Sequence, residues 1–303
     1  VLSQFAGLAR AQGDAPFAAR CEAETARLGR NLEEHGWDGA WYRRAYFDDG
    51  TPLGSSANAE CRIDSIAQSW AVLSAAGDPG RARQAMNALD QRLVRRDHAL
   101  VQLLDPPFDS SAVDPGYIRG YVPGVRENGG QYTHAAIWAA MAFAELGDNA
   151  RAWELLGMIN PLRHGASPGG TALYKVEPYV VAADVYAVAP HTGRGGWTWY
   201  TGSAGWMYRL ITESLLGLRL SAGMLRFAPC LPPDWPGFHM RYRYRDTNYQ
   251  ITLRQGAAGQ EADSVSVDGV AQADAAIRLA DDRQEHQVLV LLRSTTHGIA
   301  RAK

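Results

Sequence analysis

Residues 194–206 read R-G-G-W-T-W-Y-T-G-S-A-G-W. A helical pattern begins near the end of this stretch and covers residues 203–217. After Gly217 the apolar residues alternate with a period of two, which is typical of strands and not of helices. Helical patterns dominate everything upstream of the quoted segment. The stretch therefore leads into the last predicted helix, after which the chain becomes rich in strands.

Upstream of this stretch, apolar residues recur at helical spacing in segments that long loops separate. The predicted helices cover residues 3–35 with a break at Gly13, 63–76, 80–94, 131–146, 149–158 and 178–188. Short strands are predicted near residues 100–104, inside an irregular stretch over 97–129. Helix, long loop and helix in succession is the rhythm of an α/α barrel, so residues 1–217 are predicted to form part of one.

The remaining residues carry strand patterns between turns rich in Gly, Asn and Asp. The predicted strands cover 218–220, 224–227, 239–245, 249–254, 264–267 and 288–292. We expect residues 218–303 to form an antiparallel β-sandwich domain. The predicted class is thus mainly α with an appended β domain, in two domains over 1–217 and 218–303.

The composition excludes several classes of partner. The 30 basic and 32 acidic residues balance, so neither nucleic acid nor an anionic membrane is indicated as a partner. Cys21, Cys61 and Cys230 are far apart and have no metal-ligand spacing, which predicts neither a disulfide framework nor a metal site and favours a reducing cytoplasm. No signal-peptide pattern precedes the first helical pattern, and the chain is expected to be a piece of a longer polypeptide.

The quoted stretch has the residues of a site for an anion and a sugar. Thr201 or Ser203 can cap the helix that follows, and Gly202 leaves backbone N–H groups accessible at its positive end. Such a helix start binds anions such as phosphate, while flat aromatic side chains such as Trp197 pack against the apolar faces of sugars. The segment predicts a carbohydrate and an inorganic anion as ligands.

A second constellation reads Y-V-P-G-V-R-E-N-G-G-Q-Y-T-H over residues 121–134. Its Asn-Gly-Gly turn can bring Arg126, Glu127 and His134 toward a common pocket, with His134 one turn inside the predicted helix. An alternative interpretation is a buried ion pair of Arg126 with Glu127 or with a distant carboxylate, together with a hydrogen-bonded core histidine. The sequence leaves both interpretations open.

A third candidate is Glu177, which precedes Pro178 in Y-K-V-E-P-Y over residues 174–179. Proline suits the first position of a helix, so Glu177 would lie at the favourable end of the dipole of the predicted 178–188 helix. Its carboxylate could accept hydrogen bonds from sugar hydroxyls, or it could cap the helix.

Several of these segments together resemble the phosphorylases of glycoside hydrolase family 94, whose members include cellobiose and chitobiose phosphorylases. Two longer strings, over 61–70 and 174–186, are similar to the branch with the phosphorylase modules of cyclic β-1,2-glucan synthases and 1,2-β-oligoglucan phosphorylases. The shorter motifs are W-D-G-A-W-Y-R-R-A-Y (37–46), Q-S-W-A (68–71), E-N-G-G through H (127–134), E-P-Y (177–179) and W-Y-T-G (199–202).

The resemblance implies an (α/α)6 barrel followed by a C-terminal β domain, and inverting phosphorolysis of a β-linked glucan to α-glucose 1-phosphate. It implies no cofactor, with inorganic phosphate as co-substrate. By resemblance, His134, Thr201 and Gly202 hold phosphate. By the same resemblance, the sugar-binding residues include Tyr121, Arg126 and Glu127, to which Glu177 and Trp197 are added from the residue patterns above.

The family's general acid, an Asp in an Asp-Trp-Asn-Asp motif, is absent from the sequence. It is expected before Val1, so no catalytic residue is assigned within the chain. General acid catalysis contributes about 10²–10⁴-fold, and the chain alone is therefore expected to be nearly inactive. The complete protein is expected in the cytoplasm or at the cytoplasmic side of the inner membrane, with no membrane contact by this segment, and a homodimer is compatible with the sequence.

Two other functions fit the same residues. One is an inverting glycoside hydrolase on the same barrel, in which Glu127 deprotonates water. The other is a non-catalytic glucan-binding fragment. Dependence of turnover on phosphate separates the phosphorylase from the hydrolase. Binding of glucan without turnover would indicate the non-catalytic fragment.

Overall fold

The structure is a computed structural model that describes residues 1–110, 114–199, 201–232, 234–256 and 263–293. The chain divides into two compact units, Val1–Leu210 and Ile211–Lys303. Helices dominate the first unit, and strands dominate the second. The predicted class, mainly α with an appended β part, is confirmed.

The first unit contains nine α-helices within its described residues. They are α1 (Leu2–Ala11), α2 (Ala15–Asn31), α3 (Ser65–Leu73), α4 (Pro79–Leu93), α5 (Thr133–Glu145), α6 (Asn149–Ile159), α7 (Pro161–His164), α8 (Pro168–Tyr174) and α9 (Thr201–Arg209). Single turns of 3₁₀-helix cover Arg96–His98 and Gly116–Gly120, and π-helical turns cover Leu32–Gly36 and Leu210–Leu215.

Local sequence signals explain where several of these helices begin. Asp14, Asp78 and Asp148 each accept hydrogen bonds at 2.9–3.2 Å from backbone N–H groups of the first turn of α2, α4 and α6. Pro79 occupies the first position of α4, where the missing N–H has no partner to lose. These caps fix the helix starts independently of tertiary packing.

Consecutive long helices pack in pairs, α1 with α2, α3 with α4 and α5 with α6. Helix α5 also contacts α3 and α9, and five of its six alanines, Ile137 and Phe143 are almost fully buried. A helix that is apolar all round belongs inside a helical core. The central position of α5 fixes the place of its first turn, where His134 lies.

One buried glutamine joins the first loop to α3. Gln68 accepts from the backbone N–H of Tyr42 at 2.8 Å and donates to the Tyr42 carbonyl at 2.9 Å, while Asp64 caps α3 by accepting from the N–H of Ile66. Two of the family-like motifs, over 37–46 and 61–70, thus hold each other in place.

Short two-residue strands connect the loops of the first unit. They are β1 (Ala45–Tyr46), β2 (Pro52–Leu53), β3 (Ile63–Asp64), β4 (Val94–Arg95), β5 (Leu100–Val101), β6 (Leu104–Asp105), β7 (Gln131–Tyr132) and β8 (Asp184–Val185). The antiparallel pairs are β1 with β2, β3 with β6, β4 with β5 and β7 with β8. Strands β5 and β6 confirm the prediction near residues 100–104.

The predicted helix over 178–188 is wrong. This segment contains turns and the strand β8, which pairs with β7 on one side and meets Gly195 through a bridge on the other. The valines at 180, 181 and 185 are β-branched, which favours extended backbone when partner strands are available. Pro178 therefore does not begin a helix, and Glu177 does not cap one.

The second unit contains two sheets. Its strands are β9 (Leu218–Ser221), β10 (Met224–Phe227), β11 (Gly237–Tyr244), β12 (Thr247–Gln255), β13 (Ser264–Val267), β14 (Val270–Ala271), β15 (Ile277–Arg278) and β16 (Glu285–Leu292). The sheet orders are β15-β10-β9 and β11-β12-β16-β13-β14. One core cluster takes residues from both sheets, including Leu225 and Ile277 from the first and Ile251 and Val290 from the second.

The expectation of a purely antiparallel arrangement is wrong for one strand pair. Strands β12 and β16 run parallel over eight residue pairs, from Asn248 opposite Glu285 to Gln255 opposite Leu292. A two-residue hairpin forces antiparallel pairing, but the connection between these strands is long and contains β13, β14 and β15. It brings β16 back in the same direction as β12.

Candidate active site

The candidate site lies at the start of α5, on a small ribbon of backbone that consists of β7, β8 and residues 195–197. Strand β7 pairs with β8, with Tyr132 opposite Asp184, and the N–H of Thr133 donates to the carbonyl of Ala183 at 2.9 Å. On the other edge of β8, the N–H of Ala183 donates to the Trp197 carbonyl at 2.7 Å. Three segments that are distant in sequence thus lie side by side, and all three carry predicted site residues or their immediate neighbours.

His134 lies against Gly202. A methyl carbon placed on Gly202 would lie 2.5 Å from Nε2 and 2.9 Å from Cε1 of the imidazole, closer than any real side chain permits. Gly202 belongs to the first turn of α9, where backbone N–H groups lack partners within the helix. The close approach requires glycine here and places the imidazole beside a helix N-terminus.

His134 is the second residue of α5, closer to the helix start than the sequence predicted. The Tyr132 ring stacks on the imidazole at a centroid distance of 5.3 Å and an interplanar angle of 16°. Burial lowers the pKa of His134, so the imidazole is neutral at neutral pH. Its Nδ1 is buried and has no hydrogen-bond partner.

A cluster of three tryptophan rings packs next to this imidazole. The Trp138 ring lies 6.1 Å from that of His134, and the rings of Trp70 and Trp206 each lie 5.5 Å from Trp138 in edge-to-face geometry. Edge-to-face contacts of this kind add about 0.5–1.5 kcal/mol each beyond the area that they bury. The cluster fixes the orientation of α5 against α3 and α9 at the level of His134.

A tight turn presents Arg126 and Glu127. The N–H of Gly124 donates to the Asn128 carbonyl at 2.7 Å, and Arg126 has a positive φ of 51°. The fully buried Asn128 side chain accepts from the N–H of Phe108 at 2.7 Å and donates to the Tyr121 carbonyl at 2.9 Å. Asn128 therefore ties the turn to two neighbouring loop segments.

Arg126 and Glu127 form a mostly buried ion pair, with 3.5 Å between Nε and Oε2. The Arg126 guanidinium also lies over the Tyr121 ring, 5.2 Å from its centroid. Neither Nε of Arg126 nor Oε2 of Glu127 makes a hydrogen bond. The ion pair of the alternative interpretation is present, but it leaves hydrogen-bonding capacity unused.

Asp184, which the sequence analysis did not select, lies next to this pair. The residue is 1% exposed, and its Oδ1 accepts from the N–H of Trp197 at 3.1 Å while its Oδ2 has no partner. Burial raises the pKa of Asp184, and the nearby charge of Glu127 adds to that rise, whereas the N–H of Trp197 and the charge of Arg126 oppose it.

The remaining predicted sugar-binding residues lie on exposed loops. Trp197 is 62% exposed, and Trp199 is similarly open. Glu177 accepts at 3.0 Å from the indole N–H of Trp199, and this contact replaces the helix cap that the sequence allowed. Thr201 begins α9 beside Gly202, but its side chain lies outside the described residues.

Of the nine buried side-chain atoms without a hydrogen-bond partner in the described part of the chain, six belong to residues at or near this ribbon. They are Nε of Arg126, Oε2 of Glu127, Oγ1 of Thr133, Nδ1 of His134, Nε1 of Trp138 and Oδ2 of Asp184; the other three are Oγ of Ser65, Oγ of Ser69 and Nε2 of His164. Folded proteins pair the great majority of such groups, so a cluster of unpaired ones makes this place the candidate site for polar ligand groups. The cluster includes both hydrogen-bond donors and acceptors, as recognition of a sugar and an anion requires.

Two further residues of the site were missed from the sequence, and both had a weak signal. Trp138 follows His134 by four positions and so shares its face of α5. Tyr132 precedes the helix by one residue. It lies directly opposite Asp184 in the pairing of β7 with β8, so the two side chains share one face of this two-stranded sheet. Neither signal identifies a functional residue without the pairing of β7 with β8.

The described ranges contain no group of three His, Cys, Asp or Glu side chains arranged to hold a metal ion. None of the helices described is long and apolar enough to cross a membrane.

The chain belongs to the glycosyl hydrolase 94 superfamily, because the model of that superfamily's catalytic domain matches residues 1–217. A second model, that of the C-terminal domain of glycosyl hydrolase family 65, matches residues 218–263.

The relatives are synthases and phosphorylases by name. The chain is 48% identical over 266 residues to the cyclic beta-(1,2)-glucan synthase NdvB of Rhizobium meliloti, covering 88% of this chain and 9% of that protein. It is 33% identical to the solabiose phosphorylase of Paenibacillus borealis, covering 75% of this chain and 29% of that protein. It is 29% identical to the 1,2-beta-oligoglucan phosphorylase of Listeria innocua, covering 48% and 14%. The chain therefore spans less than a third of each of these relatives.

Among solved structures, a sialidase superposes with a TM-score of 0.55 at 13% sequence identity, covering 79% of this chain and 21% of that chain. At this identity the likeness concerns the fold alone.

Proposed function

We propose that this chain supplies the phosphate- and sugar-binding part of an inverting glycoside phosphorylase that acts on β-linked glucan. The contact between His134 and Gly202 carries the proposal. It joins an imidazole to the start of α9, where backbone N–H groups and the helix dipole favour an oxyanion. His134, Gly202 and the adjacent Thr201 are the proposed phosphate-binding residues.

The sugar would bind along the ribbon beside that anion. Arg126 and Glu127 have unused donor and acceptor capacity, which suits the hydroxyl groups of a glucose unit. Tyr121 lies under Arg126, and Trp197 offers an exposed indole face for stacking. Glu177, which accepts a hydrogen bond from Trp199, is proposed to contact the sugar as well.

In this mechanism, a phosphate oxygen attacks the anomeric carbon while the bond from that carbon to the glycosidic oxygen breaks. A general acid gives its proton to the departing oxygen. Inversion at a β-linked glucose yields α-glucose 1-phosphate and a glucan shortened by one unit. Phosphate is already anionic and needs no base, so Glu127, ion-paired with Arg126, acts as a sugar ligand.

We place the general acid in a part of the complete protein before Val1, because the chain spans only part of its relatives. The three helix pairs would contribute to an (α/α)6 barrel that upstream helices complete. A β-1,2 linkage is the proposed substrate bond, since two of the similar proteins carry that linkage in their names. The proposed setting is the cytoplasm or the cytoplasmic face of the inner membrane, as a monomer or homodimer.

The test uses the full-length protein that contains this chain. It should release glucose 1-phosphate from β-1,2-linked glucooligosaccharides only when inorganic phosphate is present, and NMR should identify the product as the α-anomer. His134→Ala should lower the rate of phosphorolysis at least tenfold and weaken phosphate binding, with the circular dichroism spectrum unchanged.

Each of three other outcomes would reject the proposal. Release of free glucose at the same rate without phosphate would indicate a hydrolase. Oligosaccharide binding without any turnover would indicate a glucan-binding protein. Unchanged phosphate affinity in His134→Ala would remove this histidine from the anion site.

A further inference from the structure

We propose that Asp184 is a positioning residue of the sugar site, which holds Trp197 in place beside the Arg126–Glu127 pair. This inference rests on the proposed function, because it assumes that Trp197 contacts the sugar. Asp184 is 1% exposed and lies on β8, between the strand that leads to His134 and the segment that carries Trp197. It is almost fully buried, and its Oδ2 still has no hydrogen-bond partner.

The first support is the way in which the carboxyl holds the Trp197 segment. Oδ1 accepts from the Trp197 N–H at 3.1 Å, and the Asp184 carbonyl accepts from the Gly196 N–H at 2.8 Å. The carboxyl packs so tightly on Gly196 that a methyl carbon there would lie 2.3–2.6 Å from Oδ1, Oδ2 and Cγ. Asp184 therefore accepts from the consecutive backbone N–H groups of Gly196 and Trp197, and so fixes the backbone that carries the exposed indole.

The second support is the charge environment of the same carboxyl. Its electrostatic neighbours are Arg126 and Glu127, and the buried Tyr174 also senses its charge. Oδ2 is buried and lacks a hydrogen-bond partner. Buried carboxyls without full pairing cost stability, and they persist where they serve a site. Asp184 thus adjoins the backbone of the aromatic residue on one side and the charged pair on the other.

The decisive variants are Asp184→Ala and Asp184→Asn in the full-length protein. The alanine removes the acceptor for the Trp197 N–H, so the dissociation constant for β-1,2-linked glucotriose should rise about tenfold. The asparagine keeps an acceptor oxygen of similar size and should bind the sugar within about threefold of the parent protein. Inorganic phosphate should bind all three proteins within about twofold of each other.

A double-mutant cycle with Trp197→Ala tests whether Asp184 acts through the indole. In the Trp197→Ala background, Asp184→Ala should weaken sugar binding, or raise the KM for glucotriose, by less than about twofold. Gly196→Ala should imitate Asp184→Ala because its methyl group displaces the carboxyl. Gly169→Ala, which meets no atom within 4 Å, is the matched control and should change nothing.

The inference would be overturned if Asp184→Ala lowered sugar affinity by the same factor in the parent protein and in the Trp197→Ala background. Normal sugar affinity in Asp184→Ala would overturn it as well. Both results leave the proposed function intact as long as phosphate binding depends on His134. Absence of phosphate binding in the parent protein would instead reject the proposed function itself. A fall in sugar and phosphate affinity together, with a lower melting temperature, would show a purely structural role for Asp184 and would also overturn the inference.

Discussion

The imidazole of His134 and the backbone of Gly202 are in direct contact, and no side chain larger than hydrogen fits at position 202 without displacing the ring. The two residues come from the first turns of different helices, α5 and α9. These helices also contact each other through Trp138 and Trp206. The relation between histidine and helix start is therefore set by a packed aromatic contact one turn further along both helices.

Gly202→Ala should separate this contact from the rest of the fold. Alanine is a better helix former than glycine by about 1 kcal/mol, so a loss of function cannot come from helix propensity. The added methyl group would push the imidazole away, and phosphate affinity measured by calorimetry should fall about tenfold or more. Gly205→Ala, in the same helix with no atom within 4 Å of its new carbon, is the control and should bind phosphate normally. Wild-type affinity in Gly202→Ala would contradict the proposed anion site.

Thr201→Val should weaken phosphate binding more than oligosaccharide binding. Valine keeps the shape of threonine but removes the hydroxyl group next to Gly202, which is a donor for an oxyanion. Dissociation constants for inorganic phosphate and for β-1,2-linked glucotriose, measured separately, give the comparison. The reverse ranking would show that the start of α9 contacts the sugar.

Asn128→Ala should destabilise the loop that presents Arg126 and Glu127. It removes hydrogen bonds to both backbone groups of Phe108 and to the Tyr121 carbonyl, and it leaves these buried groups unpaired. We expect a loss of about 2–3 kcal/mol in the free energy of unfolding, measured by chemical denaturation. Asn87→Ala, on an exposed face of α4, should change that free energy by no more than about 0.5 kcal/mol.

His286 should make the stability of the strand-rich unit depend on pH. Its Nδ1 lies 2.7 Å from Asp268 and its Nε2 lies 3.1 Å from Asp282. The hydrogen bond to Asp268 raises the pKa of His286 above its ordinary value of 6.5. Because the folded pKa is the higher one, the stabilisation is fully present below about pH 6.5 and is lost as the pH rises through the folded pKa.

Replacement by glutamine checks this sign. The difference in unfolding free energy between the parent protein and His286→Gln should be larger at pH 6 than at pH 9, and 0.5 M salt should reduce it. A difference that grows with rising pH would contradict the assigned direction of the pKa shift. Sugar and phosphate affinities should be unaffected, since His286 lies outside the proposed site.

Much of the local structure could be predicted from the sequence because its causes are local. The caps at Asp14, Asp78 and Asp148 and the alternation after Gly217 both act within a few residues. The 178–188 segment failed because its helical spacing competed with β-branched valines, and only the distant partners β7 and 193–197 decided between them. The same long-range pairing concealed Asp184, since nothing local marks that carboxyl as buried.

By itself, the sequence determined the kinds of residues at the site, the starts of several helices and the change from helical to strand periodicity. These depend on neighbours in the chain, through capping, propensity and the period of apolar residues. The tertiary structure alone decided that His134 touches Gly202 and that Asp184 is buried between Trp197 and Arg126. Such contacts depend on helix packing and on strand pairing between segments far apart in the chain, for which no spacing in the sequence gives a register.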